Sequence, residues 1–174
     1  IQIEQGPSGV VLEDGINTTP IITRVLGALD RAAENGVRIA LLLSPHYFPV
    51  WAFEKWPELR IDVGPGHVPP FLKNSVEAPQ ARDIYERYLR AIIPMIKDHP
   101  ALHSICLSNE PAYAHGDKDP WRKAMWTAYL QECYQRIEEL NECYGAEYAD
   151  FESVSHPEFN FRENKAMLDR KSVV

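Results

Sequence analysis

Asn35-Gly36-Val37-Arg38-Ile39-Ala40-Leu41-Leu42-Leu43-Ser44-Pro45 is the stretch that decides the fold. Asn-Gly closes a helix, because glycine enters the left-handed conformation at a C-terminus without a Cβ penalty. The apolar run that follows makes Val37 to Leu43 a strand, too short for a buried helix. A strand with no polar alternation has no solvent face. Such strands lie in parallel sheets covered on both sides.

Upstream, Ile1 to Glu4 is a short extended stub, and Gly6-Pro7-Ser8-Gly9 turns the chain. Thr18-Thr19-Pro20 has the form of a helix start, a hydroxyl cap with proline in the first turn. Ile21, Ile22, Val25, Leu26, Leu29 and Ala33 then recur at helical spacing as far as Asn35-Gly36. Downstream, Ser44 to Val76 is punctuated by Pro45, Pro49, Pro57, Pro65 and Pro69-Pro70, and is expected to be a long irregular, functional loop. Ala81 to Lys97 is an amphipathic helix with Ile84, Tyr88, Ala91 and Ile92 on one stripe, stopped by Asp98-His99-Pro100. Leu102 to Leu107 is a second strand expected to be buried. Asp119-Pro120-Trp121 starts one long helix reaching about Tyr144 and closed by Gly145. Tyr148 to Phe161 is irregular, and Arg162 to Lys171 begins a further helix.

Alternating strands and helices predict an α/β fold with a parallel sheet. Long, aromatic loops follow the strands, while the returns at Asn35-Gly36 and Asp98-His99-Pro100 are short. That asymmetry favours part of a (β/α)8 barrel, about strands 2–4 with their helices, over an open doubly wound sheet. No glycine-rich phosphate fingerprint follows a strand, which removes the usual dinucleotide reading. The whole chain, 1–174, is read as one partial catalytic barrel domain. It opens inside an extended stub and closes inside a helical pattern, so both ends are expected to be cuts.

Composition narrows the function. A formal net charge of −7, with no basic run, disfavours nucleic acid as a partner. No apolar run approaches the ~18 residues of a membrane span, so no membrane partner is expected. Cys106, Cys133 and Cys143 show no metal or redox spacing and are read as free thiols, Cys106 buried in its strand. That favours a reducing compartment without naming one.

The chemistry centres on Leu107-Ser108-Asn109-Glu110-Pro111. A carboxylic acid at the end of a barrel strand suits glycoside cleavage, where an alkoxide leaving group must be protonated as its bond breaks. An amide beside it suits a sugar hydroxyl whose hydrogen bond strengthens in the transition state. Asn-Glu-Pro in this setting resembles the fourth-strand signature of the retaining glycosidases on (β/α)8 barrels, a clan that includes β-galactosidases, cellulases and mannanases. Leu43-Ser44-Pro45-His46-Tyr47-Phe48-Pro49-Val50-Trp51 resembles the third-strand segment of thermophilic-type β-galactosidases. Tyr129-Leu130 through Leu140-Asn141-Glu142-Cys143-Tyr144-Gly145 is similar to the helix after the acid/base in the same relatives. The likeness runs from about Thr19 to Phe161.

The resemblance implies that Glu110 is the general acid/base, that Asn109 contacts the 2-hydroxyl, and that His46 points into the sugar subsite. It also implies a carbohydrate substrate, no cofactor, and a nucleophilic Glu near the end of a seventh strand. No motif here supplies that nucleophile; Glu4 and Glu13 lie near an earlier strand end without a recognisable context. The remainder of the barrel is therefore required, and the piece alone is expected to be inactive. Trp51 and Tyr113, which follow strand ends, are read as candidate stacking platforms for sugar, while Trp121 and Trp126 are read as packing helix against barrel.

Two other readings stand beside this one. A metal-dependent sugar isomerase or hydrolase would use His46, Glu110 and His115. A non-catalytic half-barrel would bind carbohydrate or a partner. His99 and His103 have metal-pair spacing, but Pro100 between them breaks the helix that would put them on one face.

Overall fold

The computed structural model describes residues 1–61, 73–108 and 118–156. The chain forms two compact units, Ile1–Pro111 and Ala112–Val174.

The first unit is built on three strands, β1 (Gln2–Glu4), β2 (Ile39–Leu42) and β3 (Leu102–Cys106), in the order β1-β2-β3. Both pairings are parallel, and the register aligns Glu4 with Leu42 and Leu42 with Cys106. All three carboxyl ends therefore lie along one edge of the sheet. Helices make the crossovers, as parallel pairing requires.

The first crossover is a π-helical turn, Ile21–Leu26, running into α1 (Gly27–Glu34). No side chain caps this turn, and just ahead of it the Asn17 Oδ1 accepts from the Thr19 N–H at 3.1 Å. The buried line is Ile21, Val25, Leu29 and Ala32. Ile22 and Ala33 face solvent, so the stripe is narrower than the sequence spacing suggested. Asn35 caps the helix and Gly36 takes φ +65°, as Asn-Gly requires.

The second crossover departs from the expected irregular loop. It holds α2 (Val50–Lys55), a 3-10 turn at Pro57–Leu59, and α3 (Pro79–Ile96). Proline works here as a helix starter: Pro49 precedes α2, and Pro57 and Pro79 open their helices. Punctuation that reads as loop is partly a set of helix beginnings. α3 buries Ala81, Ile84, Tyr88, Ile92 and Ile96, and tolerates Pro94 in its last turn.

Burial is unequal across the sheet. Ile39, Leu41 and Leu42 of β2 are buried, since that strand has a neighbour on each side. β3 was expected to be buried and is not: His103, Ser104 and Cys106 are exposed and Leu107 is 72% exposed. Cys106 is thus an exposed thiol, its Sγ 3.3 Å from the Ser108 carbonyl oxygen, and not a buried apolar group. Apolar composition identified the strand, but burial depends on what lies beside it.

The second unit corrects the expectation of one long helix. α4 (Pro120–Tyr134) begins at Asp119, whose Oδ1 accepts from the N–H groups of Trp121 and Arg122 at 3.1 and 3.2 Å. It ends at Gln135, which takes φ +54°, and α5 (Ile137–Tyr144) follows, closed by Gly145 at φ +62°. The turn folds α5 back so that Trp126, Leu130, Tyr134, Leu140, Tyr144 and Val154 form one core. Trp126 packs within this unit, stacked on Tyr129 at 5.8 Å and edge-on to His156 at 5.4 Å. Cys133 and Cys143 lie on different helices and both are free, with the Tyr134 hydroxyl 3.8 Å from Cys143 Sγ. No described helix is long and apolar enough to cross a membrane. The further helix expected at Arg162–Lys171 lies outside the described residues.

Tyr144 carries a testable consequence. Its hydroxyl is buried with no hydrogen-bond partner among the described residues, and an orphaned polar group of that kind costs about 1–3 kcal/mol. Tyr144→Phe in the intact protein is expected to raise stability by roughly 1 kcal/mol, measured by urea unfolding. Burial, with smaller contributions from Cys143, Tyr148 and Cys133, pushes the phenol from 10.0 up to about 12. A raised phenol pKa favours the protonated folded state below 10.0, and that contribution is lost as pH rises towards about 12. The advantage of the variant should therefore widen across that window; an advantage that stays flat would contradict the assigned burial.

Candidate active site

The carboxyl edge of the sheet gathers polar groups from the ends of β1 and β2. Glu4 is the last residue of β1, and both its oxygens are held. The Ser44 hydroxyl donates to Oε2 at 2.9 Å, and the Tyr47 hydroxyl donates to Oε1 at 2.9 Å. Ser44 is fully buried and sits at φ +42°, a region a non-glycine residue enters at a cost. That conformation turns the chain out of β2 so that the Ser44 side chain meets Glu4.

Backbone bonds fix the same corner. The N–H of Gln5 donates to the Leu42 carbonyl at 3.0 Å, that of Ser8 to Tyr47 at 2.9 Å, and that of Tyr47 to Ser44 at 3.1 Å. Gly6 lies where a Cβ would stand 2.6 Å from both the Ser44 carbonyl oxygen and the Tyr47 Cβ. Tyr88 of α3 donates its hydroxyl to the Gln5 carbonyl from beneath. Burial raises the Tyr88 phenol far above its usual range, so it stays a donor.

A cavity of about 310 Å³ opens at this corner, lined by Glu4, Gln5, Gly6, Ser8, Arg24 and Tyr47. Arg24 comes from the π-helical turn that follows β1. Its guanidinium makes no hydrogen bond or ion pair among the described residues. Gln5 is 4% exposed; its Nε2 donates to the Gly6 carbonyl at 2.9 Å, and its Oε1 has no partner among the described residues. The hydrogen bond to Glu4 raises the Tyr47 phenol, with burial adding to it.

The residues expected from sequence fall in three places. His46 is half-buried beside Tyr47, ring centroids 4.4 Å apart. Burial lowers its pKa; Glu4 opposes that shift and Lys73 reinforces it. The imidazole is therefore biased towards its neutral form next to, but not lining, the cavity. Trp51 stands in the first turn of α2, donating its indole N–H to the Val11 carbonyl at 3.0 Å and packing on Trp56 at 5.9 Å. Asn109, Glu110 and Tyr113 lie outside the described residues. Glu13 pairs with Lys55 at 2.7 Å, at the surface.

Among the described residues no three His, Cys, Asp or Glu side chains gather as a metal site. His99 Nε2 lies 3.2 Å from the Asp30 carboxylate and its Nδ1 accepts from the Ala101 N–H. His115 of the metal-dependent reading lies outside the described residues. Sequence reasoning passed over Ser44, Tyr47, Gln5 and Arg24 as site residues. The available signal was Glu4 itself, an acid ending a strand of a parallel sheet.

The sequence model of glycoside hydrolase family 42, described as β-galactosidase, matches residues 24–169, and the chain belongs to this family. Solved structures agree in fold. The cold-adapted β-galactosidase of Rahnella sp. R3 shares 18% identity with a TM-score of 0.65, over 90% of this chain and 24% of its own. A family 42 β-galactosidase of G. stearothermophilus shares 18% identity with a TM-score of 0.67, again over 90% and 24%. A family 42 exo-carrageenase of Bacteroides ovatus shares 22% identity with a TM-score of 0.61, over 90% and 21%. At these identities the likeness is one of fold: a mixed helix and strand chain that matches part of the barrel enzymes. The chain spans about a quarter of their length. No curated protein matches it in sequence.

The contact at Gly6 is directly testable. Gly6→Ala places a methyl against fixed backbone, and overpacking of that kind costs about 1–3 kcal/mol. Gly15→Ala, with nothing within 4 Å of its Cβ, serves as control. Urea unfolding of the two variants should separate them; equal stabilities would mean the two loops are not held together here.

Proposed function

We propose that this chain is the part of a retaining β-galactosidase that carries the acid/base, with Glu110 in that role. The observation that carries the reading is the family match, which spans residues 24–169 and so includes Ser108-Asn109-Glu110-Pro111. Glu110 follows the last residue of β3 by four positions in sequence, on the side where barrel enzymes keep their chemistry. The three strands are assigned as strands 2, 3 and 4 of the barrel. The strands that complete it, and the nucleophile near the end of the seventh, belong to sequence outside this chain. The 24% coverage of the solved relatives supports that division.

The mechanism follows from two carboxyl groups about 5 Å apart. Glu110 gives its proton to the glycosidic oxygen as the bond to the anomeric carbon breaks. The nucleophile's carboxylate forms an ester to that carbon. Glu110, now ionised, takes a proton from water, whose oxygen displaces the nucleophile and restores it. Configuration is retained through the two inversions. Asn109 donates to the 2-hydroxyl, and His46, Trp51 and Tyr113 line the sugar's path. The substrate is a β-galactoside and no cofactor enters.

Hydrolysis of aryl β-galactosides by the intact protein tests this. Glu110→Ala should reduce turnover by about 10²–10⁴-fold, the usual worth of a positioned proton donor. Azide should restore part of it, because azide attacks the glycosyl-enzyme without needing a general base. Turnover unchanged by the substitution would remove Glu110 from the mechanism. Loss of activity on chelation would favour the metal-dependent reading.

A further inference from the structure

The geometry points to the cavity between Glu4 and Arg24 as a binding site for a second, neutral sugar unit of an oligosaccharide. The inference rests on the glycosidase reading and adds a recognition site on a different strand end. Three independent features meet at the cavity. Glu4 offers a carboxylate fixed by Ser44 and Tyr47, and each of its oxygens keeps acceptor capacity beyond the one hydroxyl it receives. Arg24 offers a guanidinium that makes no hydrogen bond or ion pair among the described residues. Gln5, nine-tenths buried and lining the cavity, has an acceptor oxygen with no hydrogen-bond partner among the described residues.

Acceptors and a donor fork lining one cavity suit a ligand that both gives and takes hydrogen bonds. A ring bearing adjacent hydroxyls does this, each hydroxyl donating to Glu4 or Gln5 and accepting from Arg24. An anionic sugar would satisfy Arg24 but meet the Glu4 charge, so the neutral class is the one assigned. The π-helical turn that carries Arg24 adds to the case, since such insertions interrupt α-helices chiefly where a side chain serves a function. The register places Glu4 two strand spacings from Cys106, roughly 10 Å, which separates this site from a bond cleaved beside β3.

Binding to the intact protein carrying Glu110→Gln, which blocks turnover, tests the site by calorimetry. The probes are galactose, β-1,4-galactotriose and a sulfated galactotriose. The trisaccharide should bind more tightly than galactose, and Arg24→Ala should lower that ratio roughly tenfold, the worth of one charge-assisted hydrogen bond. Glu4→Gln should lower it as well. A ratio that neither variant changes, or equal loss for both neutral sugars, would overturn the site. Tighter binding of the sulfated probe would overturn the neutral class. Failure of the glycosidase reading shows separately, as absence of aryl galactoside turnover in the wild type.

Discussion

The close approach of Gly6 to Ser44 and Tyr47 is the constraint on which the first unit depends. Two loops leaving adjacent parallel strands must meet without a side chain between them, and a Cβ at Gly6 would stand 2.6 Å from backbone. Only then can Ser44 and Tyr47 reach the two oxygens of Glu4. Ser44 accepts a left-handed φ to do so, a cost of about 1–3 kcal/mol in such positions. Two hydrogen bonds to a charged acceptor, about 1.5–3 kcal/mol each, are of the size needed to offset it. The strain is thus stored beside the carboxyl edge of the sheet, where a barrel enzyme places its site.

Packing follows from the same geometry. β2 is buried because it has β1 and β3 beside it and helices against it. β1 and β3 keep exposed residues, and Ile1 and Leu107, which flank them, are 76% and 72% exposed. Among the described residues these two strands form the margins of the sheet. A parallel sheet is stable when both faces and both edges are covered.

The sequence made some of this legible. Periodicity and termini located α1, α3, β2, β3 and the start of α4 within a few residues, because Asn35-Gly36, Asp98-His99-Pro100 and Asp119-Pro120 act through local chemistry. It failed where the cause was not local. Gln135 breaks the helix at φ +54°, a conformation that its residue type does not announce. Cys106 reads as buried from its apolar neighbours, yet exposure is decided by the adjoining strand. The corner at Glu4 was hidden for the same reason: Glu4 and Ser44 are forty positions apart, and only the parallel register brings them together. The Asn109-Glu110-Pro111 triplet stands out in the sequence because its residues are contiguous, and it lies outside the described residues.

The geometry also bears on the part Glu4 can play in the proposed mechanism. A glycosidase nucleophile stands about 5 Å from its acid/base. Glu4 is carried two strand spacings, roughly 10 Å, from the register position of Cys106. Its two oxygens are occupied by hydroxyl donors that fix its orientation, which favours an acceptor over an attacking group. Glu13 is committed to Lys55. On the proposed mechanism neither Glu4 nor Glu13 is the nucleophile, and the partner of Glu110 is sought outside this chain. The fixed carboxylate at the end of β1 ties the loops that leave β1 and β2 to one another.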